Sequence, residues 1–147
     1  MRPVGPFEDS IRKQYVKRDS LFRGKTVFPE CQLLTLRAVQ SLRGETDQFP
    51  TWFDALNWMC KQVDQAVFDV ALIGAGAYGF PIAAHIKRSG RKAVHVGGGL
   101  QLMFGIMGKR WEKDDALKPY INEHWVRPEA QETPRDLKTL ESGGCYW

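Results

Sequence analysis

No apolar run in this chain approaches the ~20 residues that a bilayer-spanning helix requires, and the longest candidates are broken by glycine or by charge. The start, Met1-Arg2-Pro3-Val4-Gly5-Pro6, has no apolar core of the signal-peptide kind. Cysteine is scarce. Cys31, Cys60 and Cys145 are far apart, odd in number and without metal-ligand spacing, which excludes a disulfide framework and implies reduced thiols. His85, His95 and His124 form no pair at helical spacing, so no zinc site is expected. Together these absences lead us to expect a cytoplasmic protein with no membrane span.

The chain does have an ordinary globular balance, 43% apolar and 26% charged over 147 residues. That is enough for one domain with its own core. The net charge of +4 is modest, and the cluster Arg12, Lys13, Lys17 and Arg18 reads as a solvated helix face. It carries neither an RNA-type aromatic motif nor a DNA-reading motif, so no nucleic acid is expected. A phosphate-bearing small molecule or an acidic partner suits this charge as well.

Phe7, Ile11 and Tyr15 at fourfold spacing predict a short amphipathic helix within residues 7 to 22. Leu33 to Val39 reads as a buried strand ending at Gln40-Ser41, and Gly44 to Pro50 as a loop. Thr51 and Asp54 predict a capping box before a helix whose core face holds Trp52, Phe53, Leu56, Met59, Cys60 and Val63. A second strand, Phe68 to Ile73, runs into the turn GAGAYG. Pro81 suits the first turn of the next helix, which buries Ile82, Ala83 and Ile86, leaves His85 to solvent and ends at Ser89-Gly90. Lys92 to Val96 is the third strand, followed by Gly97-Gly98-Gly99 and a short helix over Leu100 to Phe104.

Helical segments between strands imply parallel pairing. The expected fold is therefore α/β, a Rossmann-like three-layer sandwich with a small, mainly parallel sheet, in a single domain over residues 1 to 147. Beyond Gly105 the pattern weakens: Trp111 to Lys118 is charged, Asn122 to Val126 reads as a further strand, and an irregular tail starts at about residue 127. Gly143-Gly144-Cys145-Tyr146-Trp147 is too aromatic for a free end and is expected to pack back.

Gly74, Gly76 and Gly79 match the dinucleotide-binding pattern: a tight turn, close approach of phosphate to backbone, and helix-to-strand packing. That signature also requires an acid at the end of the next strand to hold ribose. Here the strand ends Val94-His95-Val96-Gly97, with neither Asp, Glu nor Arg. An NAD(P)-dependent oxidoreductase therefore ranks third among the readings, and glycines serving close packing alone stay open. Ligands of open α/β sheets bind at the carboxyl ends of the strands, where Gln40-Ser41, Gly74 to Gly79 and His95 to Gly99 should gather.

The candidate ligand-binding residues are Gly74, Gly76, Tyr78, Gly79, His95, Gly97, Gly98, Gly99 and Gln101. Lys109, Arg110 and Arg127 are candidates to neutralise a diphosphate. His95 reads equally as a core histidine. Glu123 and His95 are weak catalytic candidates, and Glu123-His124 is the nearest approach to an acid/base pair.

The run FDVALIGAGAYGFPIAAHIKRSGRKAVHVGGGLQLMFGIMGKRW, with NEHWVRP and the ending GGCYW, resembles bacterial GT-D-fold-like proteins. These are relatives of the GT-D type of glycosyltransferase, found among surface polysaccharide genes. The resemblance covers roughly residues 7 to 147. It implies a Rossmann-like sheet, a nucleotide-sugar donor and a divalent metal, Mn or Mg, bound with it. Where characterised members carry acids, in and just after the third strand, this chain has His95, Gly98 and Leu100. The wider family also has an N-terminal portion, so an additional N-terminal domain or a partner chain is expected. Two readings follow: a glycosyltransferase-like domain, or a non-catalytic nucleotide- or partner-binding module on the same fold.

Overall fold

The computed structural model describes residues 1–41, 48–134, 137 and 143–147. Gly44 to Asp47 of the expected loop and much of the tail after residue 134 lie outside the described residues. Two compact units divide the chain: Met1–Glu8 with Gln32–Leu100, and Asp9–Cys31 with Gln101–Trp147.

The first unit holds a four-stranded, all-parallel sheet in the order β2-β1-β3-β4. Its strands are β1 (Arg2–Gly5), β2 (Leu36–Arg37), β3 (Val70–Ile73) and β4 (Lys92–His95). The chain is thus an α/β protein with a small, Rossmann-like parallel sheet. Three of these four stand where strands were expected; β1 is an addition, and it occupies a central place. Its sequence, with Arg2 and Pro3, carries no strand pattern, and a proline argues against a central strand.

The backbone pairing explains why Pro3 is tolerated. Val4 O accepts from Gly74 N–H (2.9 Å) on the β3 side, while Met1 O and Gly5 O accept from Leu34 N–H (3.0 Å) and Ala38 N–H (2.9 Å) on the β2 side. Pro3 shares the parity of Met1 and Gly5, so the donor it lacks is missing towards β2. There the ladder is two residues long, shorter than the expected Leu33 to Val39.

Register aligns Leu36, Val4, Ile73 and His95 in one row across all four strands. Except for half-buried His95, the row joins the core that α2 (Trp52–Asp64) and α3 (Gly79–Arg88) cover with Ala55, Met59, Val63, Ile82 and Ile86. Phe53 departs from the expected core face of α2 and is 69% exposed. The capping box also takes another form: Thr51 Oγ1 accepts Asp54 N–H at 3.1 Å and donates its proton to Asp54 Oδ2 at 2.6 Å.

α3 ends in a Schellman motif: Arg91 N–H donates to Ile86 O (3.2 Å) and Gly90 N–H to Lys87 O (3.0 Å), with Gly90 at φ +81°. His85 is not idle at the surface, as was expected, but pairs through Nε2 with Asp64 Oδ2 at 2.8 Å; Arg91 holds the other oxygen. Burial acts to raise the Asp64 carboxyl, yet the hydrogen bonds from His85 and Arg91 outweigh it and hold the group below its ordinary value.

In the second unit, α1 (Glu8–Val16) continues from Asp9 and buries Ile11. Phe28 stacks on Phe104 at 4.5 Å between ring centroids. The buried carboxylate of Glu132 accepts from the N–H groups of Asp9 (2.7 Å), Ser10 (3.2 Å) and Glu129 (3.1 Å), and from the Ser10 hydroxyl. It thereby satisfies two of the N–H donors left without an intrahelical partner at the start of α1.

The segment Asn122 to Val126 is not a strand; Val126 makes only an isolated parallel bridge with Ile106. Asn122 instead donates to Leu21 O (3.2 Å) and accepts from His124 N–H (2.9 Å), a turn geometry. The aromatic terminus packs back within this unit: Cys145 O accepts from Arg110 N–H (2.8 Å), and Trp147 Nε1 donates to Glu132 O (2.7 Å). α4 (Gly99–Met103) is the short helix expected after the third glycine. Among the described residues, no helix is long and apolar enough to cross a membrane.

Candidate functional site

The strand order reverses between β1 and β3: the chain steps from β1 to β2 on one side, then returns to build β3 and β4 on the other. In open parallel sheets the crevice at such a reversal, beyond the carboxyl ends of the strands, is where ligands bind. Gly5 leads out of β1 there, Gly74 out of β3 and Val96-Gly97 out of β4.

The glycines at this edge have different duties. A Cβ on Gly74 would lie 2.5 Å from Gly97 O and 2.7 Å from Leu100 Cβ, so the two glycine turns touch and leave no room for a side chain. Val96 and Gly97 lock the approach by donating to Ile73 O at 2.9 and 3.2 Å. A Cβ on Gly79 would lie 2.2 Å from His95 Cε1. His95 therefore sits under the first turn of α3, where Nδ1 donates to Ile73 O (3.1 Å) and Phe80 meets the ring edge-on at 4.5 Å. The imidazole serves as a packing and bridging group. Its Nδ1 proton, assigned from that carbonyl contact, leaves Nε2 as the acceptor in the neutral ring.

Gly76 differs from both. It has φ +52°, a left-handed conformation that favours glycine, and a Cβ there would meet no atom within 4 Å. Gly97 and Gly99 are likewise open, and half-buried Gly98 lies between them in the turn. The 3-10 turn Gly76–Tyr78 runs straight into α3. Tyr78 N–H donates to Ala75 O (3.1 Å) and Gly79 N–H to Gly76 O, which puts the N–H groups of exposed Gly76 and Ala77 at the head of the helical stack. Such leading donors suit an anion.

Tyr78 lies inward rather than in the crevice. It is buried, stacks face to face on Trp52 (4.7 Å, 6°) and hydrogen-bonds Ser41 through its hydroxyl. The ends of β2 and β3 and the start of α2 are thus tied together, as the gathering of Gln40-Ser41 and the glycine turns required. The clamp itself was not foreseen. Its only trace in the sequence was an aromatic beside a cap residue, which reads equally as core.

The other candidates belong to the second unit and have their own duties there. Gln101 is buried and its Nε2 donates to Ile106 O (3.2 Å) and Tyr146 O (3.1 Å). Lys109 and Arg110 open a 3-10 turn, with the Arg110 guanidinium over the Tyr146 ring at 5.7 Å. Arg127 pairs with Glu112. Glu123 is exposed, with its carboxylate 3.8 Å from His124 Nε2.

No family model, no curated protein and no solved structure matches the chain. The likeness to GT-D-type enzymes accordingly rests on the quoted motifs. A protein-held divalent ion does not fit this site. His95 turns Nδ1 to a carbonyl, Leu100 is buried against Gly74, and segments 74–79 and 95–99 contain no carboxylate. Among the described residues no group of three or more His, Cys, Asp or Glu could hold a metal.

Proposed function

We propose that the crevice at the ends of β1, β3 and β4 binds the diphosphate of a nucleoside diphosphate or nucleotide sugar, in a glycosyltransferase-like domain related to the GT-D type and acting in surface polysaccharide synthesis. The observation that carries this reading is Gly76: exposed, left-handed and open on its Cβ side, at the point where the strand order reverses. Its N–H and that of Ala77 would bind phosphate oxygens and stabilise the charge of a departing diphosphate. A divalent cation would arrive with the diphosphate as part of the substrate. The missing acid after Val96 argues against NAD, because nothing there holds the ribose hydroxyls.

One observation favours a non-catalytic module on the same fold. Gly74 and Gly79 are both required by packing, and the two turns carry no carboxylate for acid/base chemistry. Calorimetric titration with UDP, GDP and NADH, with and without manganese, separates the readings. Diphosphate binding that strengthens with manganese supports the transferase-like reading. Binding indifferent to the metal, without turnover, supports the module. NADH binding tighter than either diphosphate would overturn both.

A further inference from the structure

We infer that Phe53 is the platform on which the ligand's nucleobase stacks, an inference that rests on the diphosphate reading above. Phe53 stands in the first turn of α2, and its ring is 69% exposed. An exposed phenylalanine alone is ordinary. This one is linked to the glycine turn through two ring contacts. Its ring meets Trp52 edge-on at 5.2 Å and 89°, and Trp52 in turn stacks on Tyr78 at 4.7 Å and 6°. Tyr78 is the last residue of the 3-10 turn that begins at Gly76, and its hydroxyl is tied to Ser41.

Two ring-to-ring steps thus connect Phe53 to the residue that closes the Gly76 turn. Charge fixes the direction in which the ligand lies. The Asp54 carboxylate, hydrogen-bonded to the Thr51 hydroxyl at 2.6 Å, already supplies negative charge at the start of α2 and repels a phosphate there. The N–H groups of Gly76 and Ala77 have no such counter-charge within their segment, Gly74 to Gly79. The phosphates go to the glycine turn and the base to Phe53. Stacking uses the π-face common to every base, so the platform confers affinity with little choice among bases.

The test is calorimetry of UDP and of inorganic pyrophosphate with the full chain, as parent, Phe53→Ala and Phe53→Trp, with melting temperatures recorded alongside. Phe53→Ala should weaken UDP on the order of tenfold, as loss of one base-stacking ring does. Pyrophosphate affinity should not change, and Phe53→Trp should retain UDP. Equal UDP affinity in the parent and Phe53→Ala, or a parent that binds UDP no better than pyrophosphate, overturns the platform and leaves the diphosphate reading standing. A parent that binds neither ligand overturns both.

Discussion

His95 fills the space that a side chain on Gly79 would need: a Cβ built there would lie 2.2 Å from the imidazole Cε1. The third glycine of the turn is thus explained by a neighbour on β4, at the end of the row Leu36, Val4, Ile73 and His95. The first glycine is explained by Gly97 and Leu100. Of the three glycines of this turn, Gly76 is the one left with a left-handed conformation and an open Cβ side.

Gly79→Ala should destabilise the fold by about 1–3 kcal/mol, the usual cost of forcing atoms into a filled space. The loss should shrink when His95→Ala is present, because the ring that is struck has gone. Urea denaturation of the two single variants and the double variant measures this. Additivity within about 0.5 kcal/mol would show that Gly79 and His95 are not coupled.

Glu132→Ala should cost about 2–4 kcal/mol, since it removes the carboxylate acceptor of the N–H groups of Asp9 and of buried Ser10. Amide exchange at Asp9 and Ser10 should quicken more than in α2. Unchanged exchange at those two amides would contradict the assignment of Glu132 as their acceptor.

Much of the first unit was legible in the sequence, because periodicity reports burial. Ile82 and Ile86 on α3, the stop at Ser89-Gly90 and the glycine turns all stand where the pattern put them. β1 was not legible. A four-residue strand buried between two others has no polar face to alternate with, and Pro3 hides it further. Phe53 was misread as core because helical periodicity assigns a broad face but not which aromatic at its margin is covered. In the candidate site, the open glycines were visible as a motif, whereas the inward turn of Tyr78 and the seat of His95 depend on partners 26 and 16 residues away that spacing cannot reveal.

Asp64→Asn should destabilise at neutral pH by no more than about 1 kcal/mol, because the pairs with His85 and Arg91 are partly exposed and screened by solvent. The Asp64 carboxyl is held below its ordinary value in the fold. Its contribution is therefore present above the unfolded value of about 3.9 and is lost as pH falls through the lowered folded value. Denaturation of parent and variant at neutral and strongly acid pH should show a gap that closes only on the acid side. A gap that persists at the lowest pH would contradict the pairing.

Thr51→Ala should cost about 0.5–2 kcal/mol, the range for loss of an N-cap acceptor. Asp54→Ala should cost less, because Asp54 donates to the cap through its backbone N–H, which the substitution keeps. Melting temperatures check the order. A larger loss for Asp54→Ala would mean that the carboxylate, rather than the hydroxyl, dominates the cap.

The central claim is that the Gly76 turn receives a diphosphate, and calorimetry of UDP with the parent and Gly76→Ala tests it most directly. A Cβ at Gly76 meets no protein atom within 4 Å, so the fold should bear only the cost of a left-handed alanine, about 1–2 kcal/mol. That Cβ would stand where phosphate approaches the backbone. The account predicts that the parent binds UDP and that Gly76→Ala, still folded by its melting transition, loses most of that affinity. A folded Gly76→Ala that binds UDP as tightly as the parent, or a parent that binds no UDP, would contradict it.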